Sequence, residues 1–319
     1  MKAIRVHEFG GPENLRLEEV PVPQPGPGQV LVTIAAIGVN PLETYLRGGS
    51  NPALPLPYTP GTDTAGLIAA VGENAGRWQV GSRVYTTGTV TGAYAEGALV
   101  STETLRPLPE TLTFAQGAAI GIPYATAWRA LMQRAAAKAG ETVLIHGASG
   151  AVGQAATQMA AAHGLRVLGT AGTAEGLALV RKNGAAQAFD HRAPDYLAEI
   201  TACTGGKGPD IILEMLSNVN LAKDAALIAK RGRIIVIGCR GPIEINPRDL
   251  MTREADIRGV QIFNCDPLEW ADIHAGLAEG LENGALRPVI SRAFPLAEAA
   301  AAHRAVMEPG ALGKIILEP

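Results

Sequence analysis

Seven residues, Gly147-Ala148-Ser149-Gly150-Ala151-Val152-Gly153, stand between an unbroken apolar run at 142–146 and an Ala-rich stretch. The pattern is G-x-x-G-x-x-G. Small residues at this spacing let a backbone turn tightly, approach a pyrophosphate and close a helix onto a sheet. The free amides and positive dipole end of the following helix would hold the phosphates. The chemistry expected here is dinucleotide binding. A plain structural strand–helix turn and a hydrolase nucleophile elbow, G-x-S-x-G, compete with it. Gly147 and Ser149 fit the elbow, but Ala151 takes its last glycine position, and no convincing triad of acid and His accompanies Ser149.

The next apolar run ends in Gly169-Thr170-Ala171-Gly172-Thr173. An NAD site would place an acid there for the ribose 2′-OH. None is present, and Glu175 falls in the following helix, so NADP is favoured. Arg181, Lys182, His191 and Arg192 could supply positive charge for a 2′-phosphate, with Arg181 and Lys182 reading as solvated surface. The histidines, at 7, 146, 163, 191, 274 and 303, form no H-E-x-x-H and no metal spacing with a cysteine. His146 ends a buried run and reads as a satisfied core group. No metal site is expected, so a bound cofactor would carry the redox chemistry and the protein would orient it.

These residues need a scaffold. The first ~120 residues hold short strand-like runs, at 30–34, 66–71 and 83–86, between turn clusters. The cluster Pro21-Val22-Pro23-Gln24-Pro25-Gly26-Pro27-Gly28 is incompatible with a central strand or a helix. A β-rich barrel or sandwich is expected. From residue 121, apolar strands at 142–146, 166–170, 210–213, 233–237 and 258–262 alternate with helices at 154–163, 175–182 and 221–230. That is a βαβ series with a parallel sheet. Helices at 270–281 and 296–306 and a strand at 314–317 follow, assignable on pattern alone to either part.

Composition bounds the reading. At 319 residues the chain suits about two domains. With 47% hydrophobic and 18% charged residues it is too apolar for disorder, and at a net charge of −3 it is not basic enough to bind nucleic acid through phosphate neutralisation alone. No apolar run approaches the ~18 residues of a membrane span. Cys203, Cys239 and Cys265 form no C-x-x-C pair and fit a reducing cytoplasm. Lys2, Arg5, His7 and Glu8 bring charge too early for a secretory signal and fit a first β-strand.

Several segments then carry a resemblance. They are Gly38-Val39-Asn40-Pro41-Leu42-Glu43-Thr44-Tyr45, Pro57-Tyr58-Thr59-Pro60-Gly61, Gly92-Ala93-Tyr94-Ala95-Glu96, Gln116-Gly117-Ala118-Ala119, Ile122-Pro123-Tyr124, Glu244-Ile245-Asn246-Pro247-Arg248-Asp249 and Gly313-Lys314. With the glycine turn they make the chain resemble the zinc-free, zeta-crystallin-like NADPH:quinone oxidoreductases of the medium-chain dehydrogenase/reductase superfamily. The resemblance runs nearly end to end. It implies an α/β protein with a GroES-like β-rich catalytic domain over 1–121, completed by 263–319, and a doubly wound Rossmann domain over 122–262. Zinc-containing relatives would carry cysteine near Asn40 and His-Glu at Thr62-Asp63, which this chain lacks.

Residue by residue, the resemblance implies NADPH contacts from Tyr45 and Thr126 near the nicotinamide. Ser149, Gly150, Ala151 and Val152 fall at the pyrophosphate, and Gly172 and His191 around the adenosine and its 2′-phosphate. Asn220, Ile237, Gly238, Cys239, Arg240, Val260, Gln261 and Ile262 line the rest, with Lys314 a further contact. Some bacterial relatives carry a lysine where this chain has Thr173. Tyr45 and Asn40 are expected to border the reacting atoms; otherwise they read as a boundary tyrosine with its hydroxyl satisfied and as a turn-stabilising amide. The implied activity is reduction of a quinone in an interdomain cleft, in one-electron steps giving semiquinones among described relatives. The implied assembly is a homodimer or homotetramer. An enoyl or alkenal double-bond reductase, and a non-catalytic nucleotide- or RNA-binding protein, are the alternative readings.

Overall fold

The computed structural model describes residues 1–319. The N-terminal runs become seven strands: β1 (Lys2–Arg5), β2 (Arg16–Glu19), β3 (Gln29–Val39), β4 (Asp63–Val71), β5 (Arg83–Thr86), β6 (Gly97–Ser101) and β7 (Leu105–Pro107). Helices α1 (Pro41–Arg47) and α2 (Phe114–Ala118) interrupt and follow them. Along β3, Val30, Val32 and Ile34 are buried between more exposed neighbours, and from Ala36 the strand is buried on both faces. An amphipathic strand thus turns into a core strand on its way to Asn40. The Pro/Gly cluster at 21–28 is an irregular connection, as its fixed φ angles and missing donors require.

The middle of the chain is an alternation. α3 (Gly121–Trp128) runs into a π-helical turn at Arg129–Arg134. Then come β8 (Thr142–Ile145), α4 (Ala151–Ala162), β9 (Arg166–Ala171), α5 (Ala174–Lys182), β10 (Gln187–Asp190), α6 (Tyr196–Cys203), β11 (Ile211–Glu214), α7 (Ser217–Leu227), β12 (Arg233–Val236), α8 (Pro247–Arg253), β13 (Asp256–Gly259) and α9 (Pro267–Glu282). The chain ends in β14 (Ile290–Pro295), α10 (Ala299–Ala305) and β15 (Lys314–Glu318).

These elements form two units. The first comprises Met1–Ile122, Pro288–Pro309 and Gly313–Pro319; the second comprises Pro123–Arg287 and Gly310–Leu312. In the first unit the main sheet has the order β14-β15-β3-β4-β5-β7, with β6 also on β3, while β1 and β2 form a separate pair. β15 lies antiparallel to β3, with Ile315 opposite Val39 and Leu317 opposite Ile37. Gly38 permits this approach: a β-carbon there would lie 2.8 Å from Lys314 Cε and would overlap the Ala118 carbonyl.

In the second unit the parallel sheet has the order β10-β9-β8-β11-β12-β13. The order reverses between β8 and β11, which opens a crevice at the carboxyl ends of those strands. Val143, Leu144 and Ile145 of β8 are fully buried, as are Ala155, Ala156 and Ala160 of α4. Small side chains on α4 let it lie close on the sheet.

The division differs from the sequence expectation at its second crossing. The chain returns to the first unit at Pro288, not at 263, because α9 packs within the second unit. Gly276 sits under the Trp128 ring, Arg129 Nη1 pairs with Glu269 Oε2 at 2.8 Å, and Ile273, Leu277 and Leu281 are buried. The first crossing falls after Ile122 rather than after 121. The strand expected at 258–262 is displaced: β13 ends at Gly259, and Ile262–Asn264 is a 3-10 turn.

Candidate cofactor and reaction site

The glycine turn leaves β8 at the sheet's carboxyl edge. Each of its three glycines answers a different demand. Gly147 has φ +56, in the left-handed region. A β-carbon on Gly153 would lie 2.6 Å from Ala148 Cα and overlap the Gly147 carbonyl, so this glycine lets α4 pack on the turn. Gly150 has φ −77 and ψ 173, allowed to any residue, and a β-carbon there would meet only Gly147 O at 3.4 Å and Ala311 Cβ at 3.9 Å. Neither the backbone nor its neighbours require glycine there, since a β-carbon would make only ordinary contacts. Gly150 is also the N-cap of α4 and offers no side-chain cap, unlike Thr173 on α5 and Asp266 on α9. The first-turn amides, from Ala151 and Val152 onward, are left for an anion. Ser149 is buried behind them. A dinucleotide phosphate fits this cradle.

The other expected contacts of the second unit gather on the same edge. Gly172 follows β9, and a β-carbon there would lie 2.8 Å from His191 Nε2 and 3.0 Å from Arg192 Nε. His191 and Arg192, both exposed, therefore flank the end of β9, which itself carries no acid, while Asp190 of β10 lies opposite Ala171. Asp190, which ends β10, accepts from the Arg192 amide at 2.9 Å. The turns after β11 and β12 pack together: Ser217 N donates to Gly238 O at 2.9 Å, and Arg240 N to Asn218 Oδ1 at 2.9 Å. Ile237, Gly238, Cys239 and Arg240 form one turn and Val260, Gln261 and Ile262 the next, anchored by Val260 N on Val236 O at 2.9 Å. Thr126 is buried on α3.

His146, Glu214 and Asp224 meet beneath this edge, with ligand atoms within 4.8 Å of one another and all three residues buried. His146 Nε2 lies 2.9 Å from Asp224 Oδ1 and 3.6 Å from Glu214 Oε2. Burial opposes a charge on His146, but the Asp224 hydrogen bond and the two acids outweigh it and hold the imidazole above its ordinary value. Burial pushes the Glu214 carboxyl up to about 7; Asp224 acts in the same direction and His146 against it. Glu214 Oε1 accepts from Leu216 N and, at 3.3 Å, from Asn220 Nδ2. His146 is a core group, as its place at the end of an apolar run implies, but no sequence spacing joins it to the two acids. One signal was present: Glu214 closes an otherwise apolar strand, Ile211-Ile212-Leu213.

The first unit gathers a second cluster. Asn40 precedes α1, and its backbone N donates to Glu43 Oε2 at 2.8 Å. Its side-chain amide donates to Asp63 Oδ2 at 2.9 Å and Glu43 Oε1 at 3.3 Å, and Asn40 Oδ1 accepts from Lys314 Nζ. Lys314 also pairs with Asp63 at 3.0 Å, and Thr62 Oγ1 donates to Glu43 Oε1 at 2.9 Å. Burial, then the Asp63 charge, pushes Glu43 above the usual carboxylate range. The amide of Asn40 is thus committed to its neighbours, and Asn40 is only 4% exposed. Asn40 links Glu43, Asp63 and Lys314 at the start of α1. Lys314 is 2% exposed, with its ammonium held between Asn40 and Asp63 in an internal ion pair. Tyr45, on α1, is 38% exposed and remains available.

Residues 26–110 match the alcohol dehydrogenase GroES-like domain family, and residues 151–279 match the zinc-binding dehydrogenase family. Human quinone oxidoreductase is 53% identical over 320 residues, spanning 99% of this chain and 97% of that one. A 2-haloacrylate reductase from a Burkholderia species is 32% identical over 328 residues, spanning 98% of both. The crystal structure of Escherichia coli quinone oxidoreductase complexed with NADPH superposes with a TM-score of 0.89, at 26% identity and full coverage of both chains.

The name of the second domain family raises the question of zinc. Around Asn40 the donors are an amide, a hydroxyl and carboxylates, and an ammonium already takes the acceptors facing it. The His146 cluster offers three side chains with no cysteine, and its Glu214 Oε1 is engaged by an amide. A catalytic zinc needs an open position reached by substrate, which side chains 0% to 4% exposed do not give. Neither cluster fits a catalytic zinc. With 53% identity to the human enzyme along almost its whole length, the chain belongs to the quinone oxidoreductase family of the medium-chain dehydrogenase/reductase superfamily.

Proposed function

We propose that this protein is an NADPH-dependent quinone reductase that works without a metal. The observation that carries the cofactor is the uncapped start of α4 behind Gly150, an anion cradle whose glycine the protein itself does not need. The 53% identity to human quinone oxidoreductase carries the choice of acceptor. When bound, NADPH supplies the reducing equivalents from its nicotinamide. In this reading the amides around Ser149, Gly150, Ala151 and Val152 hold the pyrophosphate. Gly172 lets His191 and Arg192 lie against the end of β9 beside the adenosine, where they balance the 2′-phosphate. Asn220 and the turns at 237–240 and 260–262 line the remainder, with Thr126 at the nicotinamide. Tyr45 is the side chain that meets the reacting pair, and Asn40 and Lys314 serve by holding α1. One-electron transfer, a cytoplasmic location and a homodimer or homotetramer belong to the same proposal; three unpaired cysteines suit a reducing compartment.

The 32% identity to a 2-haloacrylate reductase favours a second reading, reduction of an activated double bond. Oxidation of NADPH and NADH, followed by absorbance with ortho-quinones, para-quinones and enals, separates the two. Turnover with quinones and NADPH supports the first reading, and paramagnetic products would identify one-electron steps. Consumption with enals alone refutes it, and tight NADPH binding with no acceptor at all points to a non-catalytic nucleotide-binding protein.

A further inference from the structure

Two carboxylate oxygens in the second unit lack any hydrogen-bond partner: Glu214 Oε2 and Asp224 Oδ2. Both residues are 0% exposed. An ionised oxygen buried without a donor carries a penalty of several kcal/mol, and native interiors avoid it. The missing donor is not supplied by His146, whose Nε2 faces Asp224 Oδ1 at 2.9 Å and whose Nδ1 lies 3.4 Å from Thr170 Oγ1. The remaining Glu214 oxygen is already used by Leu216 N and Asn220 Nδ2. The ligand atoms of the group lie within 4.8 Å of one another and the Glu214 and Asp224 side chains are within hydrogen-bond reach, so a proton between the two acids supplies the donor that both lack. It also balances the charge: a pair of acids with one proton carries −1, and a protonated His146 cancels it.

The position of the group gives that proton a task. Glu214 ends β11 and His146 follows β8, so the group joins the two strand ends that flank the crevice. Through Oε1, Glu214 fixes the turn after β11 and the amide of Asn220. We propose that Glu214 and Asp224 share one proton, and that Glu214 is thereby a positioning residue for Asn220 and the cofactor-facing turn. The proposal rests on reading this edge as the NADPH site. The other titratable groups packed around it are Lys223 on α7, Tyr196 on α6 and His191 after β10.

The test compares wild type, Glu214→Ala, Glu214→Gln and Asp224→Asn by NADPH fluorescence titration between pH 6 and 9. Glutamine keeps an oxygen for Leu216 N and donates an N–H to Asp224 in the proton's place. At pH 6, Glu214→Ala should raise Kd about tenfold and Glu214→Gln should restore it to within threefold. The wild-type Kd should climb above neutral pH as the proton leaves, and the Glu214→Gln Kd should stay flat. Infrared spectra should show a protonated-carboxyl band that both Glu214→Gln and Asp224→Asn remove. The proposal is overturned if Glu214→Gln binds NADPH as poorly as Glu214→Ala while folded, or if the band is absent. It is equally overturned if elemental analysis finds one divalent cation per chain that a chelator removes together with NADPH affinity. If Gly150→Val leaves NADPH affinity intact, the reading of the site fails instead; the infrared band then still decides whether the proton is shared.

Discussion

Substituting Gly150 separates binding from folding. Its backbone angles suit any residue, and a β-carbon would make only ordinary contacts, at 3.4 and 3.9 Å. Gly150→Val should therefore fold. Loss of a good N-cap residue is partly offset by a stiffer unfolded chain, and both effects are within about 1 kcal/mol. The side chain would, however, fill the space in front of the first-turn amides of α4. If it displaces two charge-assisted hydrogen bonds to phosphate, at about 1.5–3 kcal/mol each, binding loses about 3–6 kcal/mol. At about 1.4 kcal/mol per decade, Kd for NADPH should rise by two to four orders of magnitude. Fluorescence titration reads the affinity, and thermal unfolding without nucleotide checks the fold. Gly153→Ala is the contrast, because its β-carbon overlaps the Gly147 carbonyl and should lower stability directly. A Gly150→Val protein that unfolds like wild type yet binds NADPH within threefold of it would refute the assignment of the phosphate site.

Other expectations follow from the same geometry. Replacing His191 and Arg192 together by alanine should cut the preference for NADPH over NADH about tenfold, measured as the ratio of kcat/KM values, because their nitrogens lie 2.8 and 3.0 Å from where a Gly172 β-carbon would stand and their removal leaves Asp190 as the remaining charge at the end of β9. His303 is held down to about 3 by burial and then by Arg47, and is neutral, with Nε2 3.0 Å from Tyr94 Oη. The unfolded chain binds the extra proton between about 6.5 and 3, so stability should fall as pH drops through that window. Urea midpoints at pH 7 and 5 should show the fall, and His303→Gln should flatten it. Lys314→Met removes the cation from Asp63 in a dry interior and should cost about 3–5 kcal/mol in urea unfolding while leaving NADPH affinity within threefold.

What local pattern could carry, the sequence carried. β8 is an unbroken apolar run, and the Ala-rich stretch after the glycines is α4, although the helix starts at Ala151 rather than 154. β10 escaped notice because it is an edge strand with one buried side chain, Phe189, and so shows neither a run nor an alternation. The second domain crossing depends on where α9 docks, which is decided by Trp128 and Arg129 far upstream. Both buried clusters are of the same kind. Lys314 and Asn40 are 274 positions apart, and His146 and Asp224 are 78 apart, so no spacing rule joins them. Sequence alone does not show that Asn40 and Lys314 are bonded to each other.

The last strand has a consequence for how the molecule comes into being. β15 lies between β14 and β3, and it brings Lys314 to Asn40 and Asp63. On a ribosome the chain emerges from its N-terminus, so Pro123–Arg287 is free to fold while the sheet of the first unit still waits for its tail. Until residues 313–319 arrive, β3 has an unfilled side along Ile37–Val39, and the Asp63 carboxylate has no ammonium. A chain cut before Lys314 would hold the parallel sheet without a supported α1. The start of α1 thus depends on a residue 274 positions downstream, and the sheet that carries it closes only after the whole of the intervening unit has been made.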